Sequence, residues 1–301
     1  MNVLILGSDE DIHARHLKNA LIQKGVAVKY LNTSLFPSKL QISFYPDNYA
    51  GYLQFGNGKE LAFHDIKSVF WRTFYGVGVA DLKDSYQQTV AVNDAMSLLR
   101  SFMQGCSAKW VNSWQAYEFH KEKPLQLSKA KQIGLTIPAT IITNQPNKVN
   151  EFVSHYKKVI FKPVYGGSHT QFITEAHLEP KRMSLALSLC PITLQEYIPG
   201  TNIRTYVIGD FVCSAEIRSD SLDFREDGKA ELVPVEIPEF IQQQSVAVTK
   251  AFMLEWTAID WRLKPNGEYV FLEANFSPMF LHFERMTGFP IAEKLIHILT
   301  K

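Results

Sequence analysis

Apolar positions along the chain change their period repeatedly, and each change predicts an element. Residues 2–6 form a continuous apolar run, the pattern of a buried strand. Ser8-Asp9-Glu10-Asp11 then offers N-cap side chains to an amphipathic helix reaching about Lys24, Gly25 stops it, and residues 26–31 begin a second strand. A βαβ opening of this kind predicts a parallel sheet with helical cover. Residues 45–63 alternate around Pro46-Asp47-Asn48 and Gly56-Asn57-Gly58 and read as an appended hairpin. Residues 66–71 are another buried strand, ending in Arg72; 84–103 read as a long helix and 109–112 as a strand. Ser113 caps a helix expected to reach Ile133, and a domain boundary is expected within 113–120.

The middle of the chain opens with residues 134–142, continues in a helical stretch at 148–156 and reaches a strand at 159–162. A small-residue loop follows, Pro163-Val164-Tyr165-Gly166-Gly167-Ser168-His169-Thr170. Strands are expected at 192–198 and 204–208, around Pro199-Gly200-Thr201-Asn202, and at 211–218. Residues 220–228 form a polar loop containing Asp223-Phe224-Arg225, residues 238–253 are helical, and 291–299 form a final amphipathic helix. There is no internal repeat and no low-complexity tract.

Residues 258–280 carry the strongest local geometry. Two apolar runs flank Lys264-Pro265-Asn266-Gly267, and Asn-Gly is a hairpin signal. With Asn266 and Gly267 as a two-residue loop, counting outward sets Asp260 opposite Glu273, about 5 Å apart at Cβ. Strand alternation brings Asn275 and Arg262 to the same face, and a four-residue loop would move the pairing to a diagonal without changing that face. Opposed carboxylates need a cation between or beside them. An oxygen-only set of two carboxylates and a carboxamide suits Mg²⁺, while pairing of Asp260 with Arg262 or a lysine is the plain alternative.

Composition narrows the class. At 301 residues and 46% hydrophobic, the chain has room for two or three subdomains. Lys+Arg 31 against Asp+Glu 30 gives a formal charge of +1, so nothing points to bulk nucleic-acid or membrane binding. Cys106, Cys190 and Cys213 lie far apart without a CxxC pair, which fits a reducing compartment and argues against zinc. The N-terminal apolar run is too short for a signal peptide and no stretch approaches the ~20 residues of a membrane span, so a cytoplasmic location is the default. The first strand is not followed by G-x-G-x-x-G, so no dinucleotide site is expected there.

Several side chains then become candidates for chemistry. Lys162 sits in the apolar string VIFKPV, where its charge needs a partner that an anion would supply, and Lys123 precedes Pro124 at a helix start. Lysines are ordinarily solvated, so each alone is weak evidence. The backbone and hydroxyls of Gly166, Gly167, Ser168 and Thr170 can donate to phosphate oxygens, although Gly-Gly also marks ordinary turns. Arg204 and Arg218, on neighbouring strands, can make planar contacts to phosphate or carboxylate, or pair with Glu216 and Asp220. Glu196-Tyr197-Ile198 precedes a Pro-Gly bend whose backbone can meet an adenine edge.

Taken in order, FKP followed by GGS, then LQEYIPGTNIRTYVIG, then AIDWRL followed by FLEANFSP, resembles an ATP-grasp ligase. Over nearly the whole chain the sequence is further similar to the microviridin-type peptide ligases, or graspetide synthetases, through SVFWRTFYGV, WVNSWQAYEFHKEKPLQLSKAKQIGLTIPATIITNQP, AEIRSDSLDFR and FSPMFLHFERMTGFPIAEKL. The RimK-type amino-acid ligases, whose closing motif also resembles EANFSP, are the next relatives.

This resemblance implies a mixed α/β (α+β) ATP-grasp fold: an N-terminal parallel α/β domain (1–117), a central subdomain (118–192) and a C-terminal antiparallel-sheet subdomain (193–301), with ATP between the last two. Lys123 and Lys162 would touch the ATP phosphates under Gly166-Gly167-Ser168. Glu196 and Ile198 would bracket the adenine, and Asn202 would sit near the ribose. Arg204 and Arg218, with Lys162, would act on the transferred phosphate or the substrate carboxylate, and Asp260, Glu273 and Asn275 would hold Mg²⁺. Asp223, Arg225 and Glu284 are candidates for contact with the acceptor peptide, against the alternatives of a solvated loop and a structural ion pair. Two departures stand out: Asn202 occupies a position where related ligases commonly carry Asp, and NFSPMF is intermediate between the two subfamilies.

The activity implied is ATP-dependent phosphorylation of Asp or Glu side chains in a ribosomal precursor peptide, followed by intramolecular ester or amide cross-linking. The rivals are addition of an amino acid to a small molecule or protein tail, and a binding module without catalysis. A neighbouring gene for a small precursor with clustered Thr and Glu/Asp would favour the peptide. Nucleic acid and membrane are not expected partners, and the oligomeric state, a homodimer included, stays open. Trp71, Phe74 and Tyr75 read as buried core before they read as an interface.

Overall fold

The structure is a computed structural model that describes residues 2–166, 169–219, 221–224 and 227–301. The opening βαβ unit forms as expected. The strand Asn2–Leu6 runs parallel between Ala27–Leu31 and Ile66–Trp71, with Lys109–Val111 beyond the latter. Asp11 is the cap that starts the helix Ile12–Gln23: its Oδ1 accepts from the amides of His13 (2.8 Å) and Ala14 (3.0 Å). Ala14, Leu17 and Leu21 recur at helical spacing and bury against the sheet. The appended hairpin is a three-stranded sheet, Leu40–Tyr45, Ala50–Phe55 and Glu60–Ala62. Its first strand begins five residues before the expected stretch, with Leu40, Ile42 and Phe44 inward and Gln41, Ser43 and Tyr45 outward. Asp84 caps the long helix Ser85–Gly105.

The single helix expected from Ser113 to Ile133 is two, Trp114–Lys121 and Lys123–Gln132. Pro124 has no amide hydrogen and crowds the turn before it; Glu122 leaves the helical region at ψ 67°, and the break places Lys123 at the start of a new helix. The central sheet follows, antiparallel in the order Gln171–Phe172, Val159–Pro163, Ile192–Glu196, Thr140–Thr143. Two helices cover it, Pro146–His155 and Pro180–Leu189. The second was not anticipated, although Glu179 caps it and Pro180 opens it.

The C-terminal sheet has five antiparallel strands in the order Glu231–Val235, Phe211–Arg218, Thr201–Ile208, Trp256–Leu263, Tyr269–Asn275. Gly200 shows why the Pro-Gly bend needs glycine: at φ +130° its hydrogen faces the carbonyl of Leu263, which a Cβ would meet at 1.9 Å. The helix Glu239–Ala251 packs on this sheet. After Leu281–Thr287, the last helix Ile291–Thr300 returns to the N-terminal domain, packing on Ile12–Gln23 through one buried cluster. The hydroxyl of buried Ser68 donates to the carbonyl of Leu299 at 2.7 Å. Burying a side chain such as Leu295 or Leu299 contributes about 2 kcal/mol, so this helix clamps the two ends of the chain together. No helix among the described residues is long and apolar enough to cross a membrane.

Candidate active site

The hairpin of the C-terminal sheet sets Asp260 directly opposite Glu273 and Ala258 opposite Asn275. The route to that register differs from the count. The connection is residues 265–267, with Gly267 at φ +85° and the amide of Gly267 bonded to the carbonyl of Lys264, so Leu263 pairs with Tyr269. That shifts the ladder by one residue, and a bulge between Asp260 and Trp261 shifts it back. The two carboxylates therefore meet because the turn and the bulge cancel.

Each carboxylate already has a cation. Arg204, opposite Asp260 on the adjoining strand, forks onto it through Nε (2.8 Å) and Nη2 (2.9 Å). Lys123, at the start of the helix created by the Glu122 break, reaches Glu273 at 2.8 Å. Asn275 Nδ2 donates to Asp260 Oδ2 at 3.0 Å, closing the group. Burial alone would raise the Glu273 pKa, but Lys123, then Lys162 and Arg204, hold it down at about 2. Burial would likewise lower Arg204, and Asp260 outweighs it and raises the guanidinium above its ordinary value.

These groups line one cavity of about 450 Å³, into which the central sheet contributes Lys162, Gly166 and Thr170 and the C-terminal sheet Asn202, Arg204, Asp260, Glu273 and Asn275. Lys162 Nζ lies 3.5 Å from Gln195 Oε1, and the other end of that amide donates to Thr140 Oγ1 at 2.9 Å. Asp223 is buried at the same cavity, its Oδ2 3.5 Å from His169 Nδ1, and the neighbouring Phe224 ring sits 5.2 Å from the Arg204 guanidinium carbon. Asn202 Oδ1 accepts from Arg262 Nη1 at 2.8 Å. Gly167, Ser168 and Arg225 lie outside the described residues.

Other expected site residues stand apart from this cavity or are engaged elsewhere. Arg218 is exposed and pairs with Glu216 at 3.0 Å. Glu284 pairs with His16 at 3.1 Å and accepts the Ala292 amide at 2.6 Å, a fastening of the last two helices to the first. Glu196 Oε1 accepts the Ala139 amide at 2.8 Å, and the Ile198 carbonyl accepts Arg262 Nε at 2.9 Å. Trp71 is buried, and Tyr75 is partly exposed with its hydroxyl 3.1 Å from Ser8 Oγ.

Two supporting residues have no local signature. Gln126, on the Lys123 helix, is buried against the strand Tyr269–Asn275: its Oε1 accepts the amide of Ala274, between Glu273 and Asn275, at 3.2 Å, and its Nε2 lies 3.2 Å from His120 Nδ1. Asn112, fully buried, holds both hairpin strands, donating to the carbonyls of Trp256 (2.9 Å) and Phe276 (2.6 Å) and accepting from the amides of Glu255 and Trp256. Only their sequence context, a polar residue in an otherwise apolar helix face or strand end, could have flagged them.

Two carboxylates and a carboxamide, with two lysines and an arginine around them, thus share one cavity between two antiparallel sheets. Residues 120–299 match the RimK-like ATP-grasp domain and residues 2–118 the MvdD pre-ATP grasp domain. The chain belongs to the RimK-like ATP-grasp family and is an ADP-forming ligase that uses ATP. Among solved structures it is similar to the ATP-grasp ligase PsnB complexed with a phosphomimetic variant of its minimal precursor, Mg and ADP (TM-score 0.87, 27% identity, 99% of this chain and 97% of that one). It is also similar to the macrocyclase MdnC of Microcystis aeruginosa bound with precursor peptide MdnA (TM-score 0.87, 25% identity, 100% of both chains). A probable alpha-L-glutamate ligase 2 of Shewanella amazonensis is 29% identical over 246 residues, 76% of this chain and 73% of the relative.

Proposed function

We propose that this ligase activates Asp or Glu side-chain carboxylates of a ribosomal precursor peptide and closes them onto Ser, Thr or Lys side chains of the same peptide. The observation that carries this reading is the match of residues 2–118 to the MvdD pre-ATP grasp domain, ahead of a RimK-like domain, with PsnB and MdnC similar from end to end. A carboxylate resists attack because it is anionic and its oxygen leaves poorly. Transfer of the ATP γ-phosphoryl group to a carboxylate oxygen releases ADP and leaves an acyl phosphate. The hydroxyl or amine then bonds to the acyl carbon, the carbon–oxygen bond to phosphate breaks, the nucleophile loses its proton, and an ester or amide remains. The peptide has lost one water.

The donor set fits Mg²⁺: Asp260, Glu273 and Asn275 offer only oxygen ligands, and among the described residues no group of three or more His, Cys, Asp or Glu side chains competes as a metal site. Bound there, the cation would neutralise phosphate charge. Lys123 and Lys162, which line the cavity with Gly166, would receive the nucleotide phosphates. Arg204 would hold the reacting carboxylate or phosphoryl group in place, since positioning and charge stabilisation dominate phosphoryl transfer. Asp223 lines the cavity and would meet an acceptor bound there, whereas Glu284 and Arg218 do not line it.

Mass spectrometry of a matched precursor incubated with the protein, ATP and Mg²⁺ tests the proposal. The expected product is lighter by one water per cross-link, with no change for Asp260→Ala or Glu273→Ala. A gain of one amino-acid residue mass when free amino acids are supplied would move the assignment to the second reading, which the glutamate-ligase relatives favour.

A further inference from the structure

The stretch SVFWRTFYGV ends the third strand of the N-terminal sheet, and the site as described makes no use of it. Its Arg72 is almost fully covered, 8% exposed, and paired with Asp11, 13% exposed, at 2.9 Å. Asp11 is itself held by three hydrogen bonds: Oδ1 accepts from the His13 and Ala14 amides and Oδ2 from Thr73 Oγ1 at 3.2 Å. The other arm of the guanidinium crosses to the C-terminal lobe, where Arg72 Nη1 donates to the carbonyl (2.8 Å) and hydroxyl (3.1 Å) of Ser277. Ser277 Oγ returns a proton to the carbonyl of Trp71 or Arg72, at 3.1 and 3.0 Å. Three residues further on, His13 Nδ1 accepts the amides of Phe280 and Leu281 at 3.2 and 3.3 Å.

Residues 277–281 are thus tied at both ends to the N-terminal domain, at Ser277 by Arg72 and at Phe280 and Leu281 by His13. Their own sheet meets them through Asn275, whose carbonyl accepts Thr257 Oγ1 at 2.7 Å, and through the Tyr206 hydroxyl, which donates to the carbonyl of Met279. Ser277, Pro278 and Met279 line the cavity, and Ser277 is two residues past Asn275. A buried ion pair is a poor source of stability compared with apolar packing of equal volume, but a guanidinium split between an anchored carboxylate and a loop fixes direction. We infer that Arg72 is a positioning residue: with Asp11 and Ser277 it sets the Asn275 carboxamide against Asp260, so the N-terminal domain completes the cation site without touching it. The inference rests on the reading of Asn275 as a ligand for Mg²⁺.

The test is the Mg²⁺ dependence of ADP binding, followed with a fluorescent ADP analogue, in variants whose melting temperature is measured alongside. Arg72→Lys keeps a cation against Asp11 but cannot also span to the Ser277 carbonyl and hydroxyl; Ser277→Ala keeps the ion pair intact. Both are expected to bind ADP without Mg²⁺ as the parent does. The Mg²⁺ concentration at half effect should rise ~10-fold for Arg72→Lys, the lower range for losing an outer-shell partner, and less for Ser277→Ala, which retains the carbonyl. If Arg72→Lys does not fold, Ser277→Ala decides alone. Parental Mg²⁺ midpoints in the folded variants, with Asn275→Ala shifted, overturn the inference. A parental midpoint in Asn275→Ala itself overturns the assignment of Asn275 and removes the ground on which the inference stands.

Discussion

The two sheets that contribute to the cavity are built with very different depth. In the C-terminal sheet, Thr201–Ile208 and Trp256–Leu263 are eight residues each, paired on both sides, and Tyr206, Trp256, Ile259, Trp261 and Phe271 are at most 1% exposed. In the central sheet, Thr140–Thr143 has no fully buried residue, Gln171–Phe172 is exposed, and the buried core is Val149, Val159, Met183, Leu187 and Leu194. Little buried apolar area means a low free energy of local opening. The groups proposed to hold a small cation thus come from the deep sheet, while Lys162 and Gly166 come from the shallow one. On the proposed reading, buried apolar packing is deepest where a fraction of an ångström matters, and the lobe that would admit and release a nucleotide is lightly held.

The largest effect that would break this contrast comes from removing one group on each side. Asp260→Ala should lower ADP formation ~100-fold or more, the upper range for losses at a metal site. It should also destabilise the fold by about 3 kcal/mol, because Arg204 keeps a buried charge without its anion. Lys162→Ala should leave stability nearly unchanged and raise the ATP concentration for half-saturation ~10-fold, the worth of one charge-assisted contact. Steady-state kinetics with urea denaturation would separate the two. Identical profiles for both variants would sink the division of labour.

Packing changes should sharpen the contrast with smaller effects. Leu194→Ala removes a fully buried side chain from the five-residue core and should cost about 3 kcal/mol, felt by the central lobe alone, so that calorimetry resolves a separate early transition. Asn112→Ala strips hydrogen bonds from both hairpin strands and should cost about 2 kcal/mol while lowering a single shared transition, since Asn112 ties the N-terminal domain to the C-terminal sheet. A single transition in Leu194→Ala would show that the lobes unfold as one.

How far the sequence reached follows the same division. The Asp260–Glu273 opposition was legible because a hairpin is local: an Asn-Gly pair and two apolar runs carry the register, even though the three-residue connection and the bulge replaced the expected two-residue loop. The parallel βαβ opening was legible for the same reason, through Asp11, Gly25 and the period of the helix between them. What surrounds the carboxylates was not legible locally, and Lys123, Lys162 and Arg204 came to the site only through the family resemblance. Arg204 lies 56 residues from Asp260, Lys123 lies 150 from Glu273, and Asn112 lies 144 and 164 from the carbonyls it bonds, and no local pattern encodes such pairings. Polarity also misleads at a distance: Glu284 sits in a charged, surface-like string, yet it joins a partner 268 residues away in a helix fastening. The shallow central lobe was read least completely, since Pro180–Leu189 exposes most of its length and shows little helical contrast.

The smallest predicted effect separates the N-terminal junction from the cavity by pH. Burial, then the neighbouring Arg72 cation, with Asp11 opposing them, holds His13 at about 4, so its Nδ1 is an acceptor for Phe280 and Leu281 at neutral pH. Unfolded, the same imidazole takes up a proton near 6.5, so between 6.5 and 4 the unfolded chain binds more protons and stability falls as the pH falls, by about 1.4 kcal/mol per unit from this group. His120, held at about 4 by burial and Lys123, acts in the same window. Glu273 does not: its depressed pKa places the loss of its stabilisation between about 4.5 and 2, again as the pH falls. His13→Gln keeps an acceptor that does not titrate, so its urea midpoint should match the parent at pH 7.5 and fall more gently between 6.5 and 5. Parallel midpoints across that range would mean that His13 is not the neutral acceptor holding the cavity loop. The acid sensitivity between pH 6.5 and 5 would then belong to His120, beside the cavity, instead of the junction.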